Sequence, residues 1–336
     1  MIHLKYQYKV EDLGKKTEFV IIVENNLWEK NNMESRIRST FIFISMVFFI
    51  MSGCGQKSVD TSATESTATI GNTQVKSERF TKISFSSKSL KKEMKINIYL
   101  PKGYSDKKKY PVLYLIHGYT GNEDTWFPGL QVEKKADDLL DKKEIVPLII
   151  VAPQIDNSYG INSTNNKSNS QLYFNTGSYE DYLYKELVPF IDASYSTISS
   201  REGRYIGGLS MGGWVALHMA FAHTDMFSKV GGHSPAIFLE GDTSSVRSFL
   251  YPTEELKNER DPILVAQNKD LTSLKVYLDC GDQDSYRFFE GCDKLNKVLQ
   301  SKGVDSKYYF NQGKHDGAYW GANIEKYLTF YAGNLK

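Results

Sequence analysis

Residues Arg204 to His223, RYIGGLSMGGWVALHMAFAH, constrain this chain more than any other stretch. Arg204-Tyr205-Ile206 is a β-branched and aromatic run of the kind a buried strand requires. Trp214 to Ala222 is apolar, rich in Ala and free of Pro, which predicts a buried helix. Between them, Gly207-Gly208-Leu209-Ser210-Met211-Gly212-Gly213 predicts a tight strand-to-helix turn with a serine at its apex. Gly208 and Gly212 lack the side chains that would hold strand and helix apart. In that context Gly-x-Ser-x-Gly is a nucleophile elbow: the hydroxyl projects, and the Met211 N–H at the helix start is placed to stabilise an oxyanion.

A serine hydroxyl needs a base to take its proton, and the base needs an acid to orient it. On an elbow scaffold the chain order is Ser, acid, His, with the acid after a late strand and the His after the last one. His315, in Gln312-Gly313-Lys314-His315-Asp316, is the histidine in that position. His218 and His223 fall on the elbow helix, His233 after a middle strand and His117 at the end of an early one. The acid is expected in Asp279-Cys280-Gly281-Asp282-Gln283-Asp284, where one carboxylate orients His315 and the others cap the next helix. Spacing alone leaves the choice among the three open.

The surrounding pattern predicts an α/β fold. Phe80 to Phe85 and Met94 to Leu100 read as antiparallel N-terminal strands. Apolar strands then alternate with helices, as in a mostly parallel sheet. The strands are Val112–Ile116, Val146–Ala152, Arg204–Ile206, Lys229–Gly232, Leu274–Leu278 and Lys307–Phe310. The helices are Gln131–Leu140, Tyr179–Ile191, the elbow helix, Ser285–Gln300 and Ala318–Tyr331. The reading is an α/β-hydrolase fold, a mostly parallel twisted sheet flanked by helices. Gln154–Gly177, carrying Tyr173 and Phe174, and Pro235–Thr272 interrupt the alternation after strand carboxyl ends. Ligands bind at such ends in open sheets, so these loops either contact substrate or decorate the surface.

Charge excludes one class of partner. The 336 residues carry a net charge of +1, and the part after residue 53 is formally neutral, so nothing attracts nucleic acid. No His-Glu-x-x-His, paired Cys-x-x-Cys, Ca²⁺-loop, P-loop or Gly-x-Gly-x-x-Gly pattern implies a metal or nucleotide cofactor.

The N-terminus carries its own pattern. Arg36 and Arg38 precede Phe41 to Met51, an apolar run too short to span a bilayer but suited to a signal peptide. It ends in Met51-Ser52-Gly53-Cys54, which resembles a bacterial lipobox with Met51 where Leu is usual. That resemblance implies an exported cell-envelope lipoprotein, anchored in the membrane by lipidation of Cys54, with plain secretion as the alternative. Met33 opens a conventional signal start, so translation is expected to begin there. Residues 1–53 are then extension and signal peptide, 54–77 a flexible Ser/Thr-rich tether, and 78–336 the globular domain. Cys280 and Cys292 are expected as separate thiols.

Four segments carry a family resemblance: HGYTGNEDTW (His117–Trp126), GGLSMGG (Gly207–Gly213), LDCGDQD (Leu278–Asp284) and GKHDGAYW (Gly313–Trp320). In that order they resemble the esterase family that contains feruloyl and acetyl-xylan esterases, and are similar to the related S-formylglutathione hydrolases and mycolyl transferases. The resemblance spans roughly residues 80 to 334. It implies Asp284, by the family's Gly-x-x-Asp counted from Gly281, as the acid, with Asp282 in reserve. It also implies the Tyr119 N–H as oxyanion partner of Met211. The implied activity is serine carboxylester hydrolysis through an acyl-enzyme, on feruloyl- or acetyl-type esters of carbohydrates or on small esters. The alternatives are an acyltransferase of mycolyl-transferase type and a catalytically silent binding protein on the same fold. Trp126 and Trp320 either wall the substrate pocket or belong to the core.

Overall fold

The computed structural model describes residues 6–12, 17–23, 79–164, 174–242 and 244–333. The chain divides into two compact units, Met1–Gly71 and Asn72–Lys336. In the first, Tyr6–Asp12 and Thr17–Val23 pair antiparallel. The expectations for Met33, the apolar run 41–51, Cys54, the tether 55–77 and Tyr173 lie outside the described residues. Among the described residues no helix is long and apolar enough to cross a membrane.

The second unit is built on eight strands: β1 (Phe80–Ser87), β2 (Lys92–Tyr99), β3 (Val112–Ile116), β4 (Ile149–Pro153), β5 (Arg204–Leu209), β6 (Lys229–His233), β7 (Lys275–Gly281) and β8 (Asp305–Asn311). Their order across the sheet is β8-β7-β6-β5-β3-β4-β2-β1. Strands β3 to β8 are parallel, and β2 joins them antiparallel through β4. Alternate residues of each strand feed opposite faces: Val112, Tyr114 and Ile116 of β3 enter one core, Leu113 and Leu115 the other. Burial on both faces explains why these strands read as continuous apolar runs.

Helices cover both faces. They are α1 (Val132–Asp141), α3 (Met211–Ala222), α7 (Phe288–Ser301) and α8 (Gly317–Ala332), with α2 running through Tyr179–Asp181, Tyr182–Leu187 and Val188–Ser194 in succession. Helix α3, which follows the elbow, is buried from Met211 through Phe221, as its all-round apolar composition requires. The expected α/β-hydrolase architecture is observed.

Most element ends shift from expectation by up to three residues, and three differences have a physical reason. The strand expected from Val146 begins at Ile149, because the Val146 N–H donates to the Ala332 carbonyl at the end of α8 (2.8 Å) and its side chain stays exposed. The helix expected from Ser285 begins at Phe288, since residues 284–287 form a separate turn closed by the Arg287 N–H to the Asp284 carbonyl (2.9 Å). Pro235–Thr272 is a helical insertion holding α4 (Ser245–Leu250), α5 (Glu254–Arg260) and α6 (Pro262–Asn268).

Close approach of β5, α3 and β3 sets the geometry of the elbow. A Cβ at Gly208 would strike the Gly212 carbonyl, and one at Gly212 would strike the carbonyls of Ile116 and His117. The obstacles are backbone atoms, which cannot swing aside. Gly208→Ala and Gly212→Ala are therefore expected to cost about 3 kcal/mol each, a fall in Tm of roughly 6–12 °C for a domain of this size. Thermal unfolding followed by circular dichroism measures it.

Candidate active site

Ser210 is the hinge residue between β5 and α3, at φ 54° and ψ −117°. A non-glycine residue there carries roughly 1–3 kcal/mol of strain and persists only where its surroundings over-determine it. They do: the Ser210 N–H donates to the His233 carbonyl (2.9 Å), and the Ser210 carbonyl accepts from Trp214 and Ala236 (3.1 and 3.0 Å). The side chain is thereby aimed away from the strand axis.

His315 arrives from the loop after β8. Its Nε2 accepts from the Ser210 hydroxyl at 2.8 Å, and its Nδ1–H donates to Asp284 Oδ2 at 2.7 Å. The carboxylate can only accept, which fixes the tautomer and leaves Nε2 as the acceptor facing Ser210. Asp284 takes two further donors, Cys280 Sγ–H at 3.2 Å and the Tyr286 N–H at 2.8 Å. Burial pushes the Asp284 carboxyl up, but the donated hydrogen bonds and the neighbouring imidazole outweigh it. The net result lies below the ordinary carboxylate value, so the group is held ionised.

The three carboxylates of the 279–284 segment have three separate roles, and none caps the next helix, contrary to expectation. The α7 N-cap is Arg287, in a left-handed conformation and with no side-chain cap bond. Asp279 is fully buried, accepting from His233 Nδ1–H (2.8 Å), Tyr319 OH (2.6 Å) and Tyr327 OH (2.9 Å). Asp282 Oδ1 accepts from the Gly313 N–H (3.0 Å), tying the acid loop to the histidine loop. Only Asp284 reaches His315. Cys280 and Cys292 are both buried free thiols.

The turn after β3 packs beside the elbow. His117 is buried there: Nδ1–H donates to the Gly118 carbonyl (2.8 Å) and Nε2 accepts from the Ile155 N–H (3.0 Å). Both ring nitrogens are thus used by backbone, and the ring fixes the start of the 117–121 loop. The Thr120 N–H donates to Asn157 Oδ1 (2.7 Å), holding the far side of that loop, where Thr120 has φ 64°. Tyr119, between these two anchors, lines the same cavity as Ser210. Met211 opens α3, so its N–H is one that no carbonyl of that helix accepts.

The cavity over Ser210 and His315 encloses about 710 Å³. Its walls include Tyr119, Tyr159, Phe238, Tyr286, Phe288 and Trp320. Trp320 stands edge-on to His315 at 5.0 Å between ring centroids. Trp126, expected either in the pocket wall or in the core, does not wall the cavity: it is 1% exposed, its Nε1–H donates to the Ile116 carbonyl (3.1 Å), and it belongs to the core behind β3. Both irregular segments reach the cavity, through Tyr159 from the first and Phe238 and Val246 from the second. Tyr159, Phe238, Tyr286 and Phe288 were not identified from sequence. Tyr286 and Phe288 had a usable signal, following the acid by two and four residues.

Sheet order, strained serine turn and the placement of the loops after β7 and β8 define an α/β-hydrolase. The chain belongs to the Esterase family, whose model matches residues 87–331. It is 31% identical over 255 residues to an endo-1,4-beta-xylanase/feruloyl esterase of Xylanibacter ruminicola, covering 73% of this chain but only 30% of that longer protein. To an acetyl esterase of Caldicellulosiruptor saccharolyticus it is 26% identical over 267 residues, 72% of this chain and 94% of that one. A solved ferulic acid esterase superposes with a TM-score of 0.64 at 26% identity, covering 75% of this chain and 96% of the other.

The buried His117 generates a pH prediction. Burial holds its imidazole below the ordinary value of 6.5, so the folded chain keeps it neutral while the unfolded chain protonates it. Its contribution is fully present above pH 6.5 and is lost as pH falls below it, by up to about 1.4 kcal/mol per pH unit. Urea midpoints measured from pH 7 to 5 are expected to fall, and His117→Gln to flatten that slope.

Proposed function

We propose that this chain is a serine carboxylesterase that cleaves aromatic or small acyl esters of carbohydrates through an acyl-enzyme. The observation that supports it most is the unbroken relay from Ser210 Oγ through His315 to Asp284, at 2.8 and 2.7 Å, under an aromatic-walled cavity. Ser210 attacks the ester carbonyl while His315 Nε2 takes its proton, and Asp284 holds the imidazolium in orientation. The oxyanion is received by the N–H groups of Met211 and Tyr119. His315 then protonates the departing alcohol oxygen, and water repeats the sequence to release the acid. A cavity of about 710 Å³ walled by rings suits a hydroxycinnamoyl group, which fits the names of the feruloyl-esterase relatives.

A fluorophosphonate probe is expected to label wild-type protein on Ser210 and to leave Ser210→Ala unlabelled. On methyl ferulate, Asp284→Asn should lower kcat by about 10³–10⁴-fold, because an amide favours the wrong imidazole tautomer. Asp282→Asn should stay within about tenfold, since it loosens a loop and leaves the relay intact. Equal losses in the two variants would refute Asp284 as the acid.

We further infer that the protein is exported and held at the cell envelope by a lipid on Cys54, on the strength of the apolar run ending in Met51-Ser52-Gly53-Cys54. Expressed from the full chain, wild type should take up labelled palmitate and partition into detergent. Cys54→Ala should do neither.

A further inference from the structure

His315 is bordered by three aromatic rings, and one of them is left in water. Phe288 and Trp320 are 8% and 9% exposed and form the floor beside the imidazole. Tyr286 is 66% exposed, the highest value for a large apolar side chain among the described residues. Its ring meets His315 nearly edge to face, with centroids 4.9 Å apart and planes at 72°. It lies parallel on Phe288 at 5.4 Å and 13°. Arg287, between the two, is held at φ 58°, a left-handed conformation unfavourable to a side chain of this size. The Tyr286 N–H is bound to Asp284 Oδ1, so the platform is anchored to the residue that orients the base. Little stability is gained by placing an aromatic ring so openly. The position has a chemical use.

During acylation the bond between the acyl carbon and the alcohol oxygen breaks, and His315 Nε2–H gives its proton to that oxygen. The first atoms of the alcohol must therefore lie against whatever borders His315. A methanol leaving group offers these rings no more than one methyl group. A sugar alcohol is large enough to extend past the buried floor onto the open face of Tyr286. Aromatic faces carry a negative quadrupole and an apolar surface, which suit the C–H face of a sugar ring.

We propose that Tyr286 is a specificity-determining residue: its exposed face is the platform on which the sugar of the leaving alcohol stacks during acylation. This rests on the serine-esterase reading above and extends it from the acyl group to the alcohol. Two esters with the same acyl group form the same acyl-enzyme, so deacylation is common to both. Any difference that Tyr286 makes between them arises in binding or acylation with the alcohol still attached.

The test compares kcat/KM for methyl ferulate and for a feruloylated arabinoxylo-oligosaccharide in wild type, Tyr286→Ala and Tyr286→Phe. Tyr286→Ala is expected to lower the sugar-to-methyl ratio about tenfold, the scale of one ring face withdrawn from contact. Tyr286→Phe, which keeps the face and loses the hydroxyl, should hold the ratio within about twofold. The free oligosaccharide should inhibit methyl ferulate hydrolysis by wild type and Tyr286→Phe more strongly than by Tyr286→Ala. Equal losses on both esters in Tyr286→Ala would show that the ring only supports His315, and would overturn the proposal. An unchanged ratio, or a wild type that hydrolyses methyl ferulate but not the sugar ester, would also overturn it. Failure of wild type on both esters, together with no fluorophosphonate labelling, would refute the serine-esterase reading itself.

Discussion

The backbone of Ser210, at φ 54° and ψ −117°, is the constraint on which the rest of the site depends. A serine in that conformation is stable only because three elements close on it: β5 behind, α3 ahead and the end of β3 alongside. Contact between the backbones of Gly208 and Gly212, and of Gly212 with Ile116 and His117, leaves the turn no room to relax. The strain is thus held by the central strands of the sheet. The same closeness brings the 117–121 loop beside the elbow, so Tyr119 and the start of α3 come to one cavity through one packing event.

Asp284 and His315 come from different loops, and backbone lacing makes them a unit. The Asp282 N–H donates to the Asn311 carbonyl (2.8 Å), the Gln283 N–H to the Gly313 carbonyl (2.8 Å), and Asp282 accepts from Gly313. Below them Asp279 gathers His233, Tyr319 and Tyr327 in a fully buried cluster. That cluster joins β6, β7 and α8 directly under the loops. Buried polar groups of this kind are expensive when unsatisfied and rigid when fully paired. Asp279 is therefore a part of the scaffold although it sits five residues from Asp284.

Aromatic side chains complete the division of labour around His315. Trp320 lies in the first turn of α8, just after His315, and Tyr286 and Phe288 follow Asp284 in the chain. The three rings border the imidazole on the sides that the hydrogen bonds to Asp284 and Ser210 leave open. On the other side of the cavity, Tyr159 and Phe174 from the first irregular segment pack on Trp214 of the elbow helix and on Phe249 of the insertion. The two departures from simple strand–helix alternation thus build the cavity wall.

What the amino-acid sequence determined by itself was whatever depends on neighbours along the chain. Apolar runs without polar relief specify two-sided burial and hence a parallel sheet. Glycines flanking Ser210 specify the elbow, and the order of Ser210, the 279–284 carboxylates and His315 specifies the topology of the relay. The choice of Asp284 needed a family resemblance as well, because three carboxylates within six residues are equivalent until a partner is placed in space. Tertiary structure decided what each one faces: Asp279 the buried tyrosines, Asp282 the Gly313 N–H, Asp284 the imidazole. It also put Trp126 in the core and Tyr286 in water, since two aromatic residues that each follow a polar turn read alike in one dimension. The physical reason is that propensity and spacing act over a few residues, whereas burial and hydrogen-bond partners are set by strands that meet only after the sheet has closed.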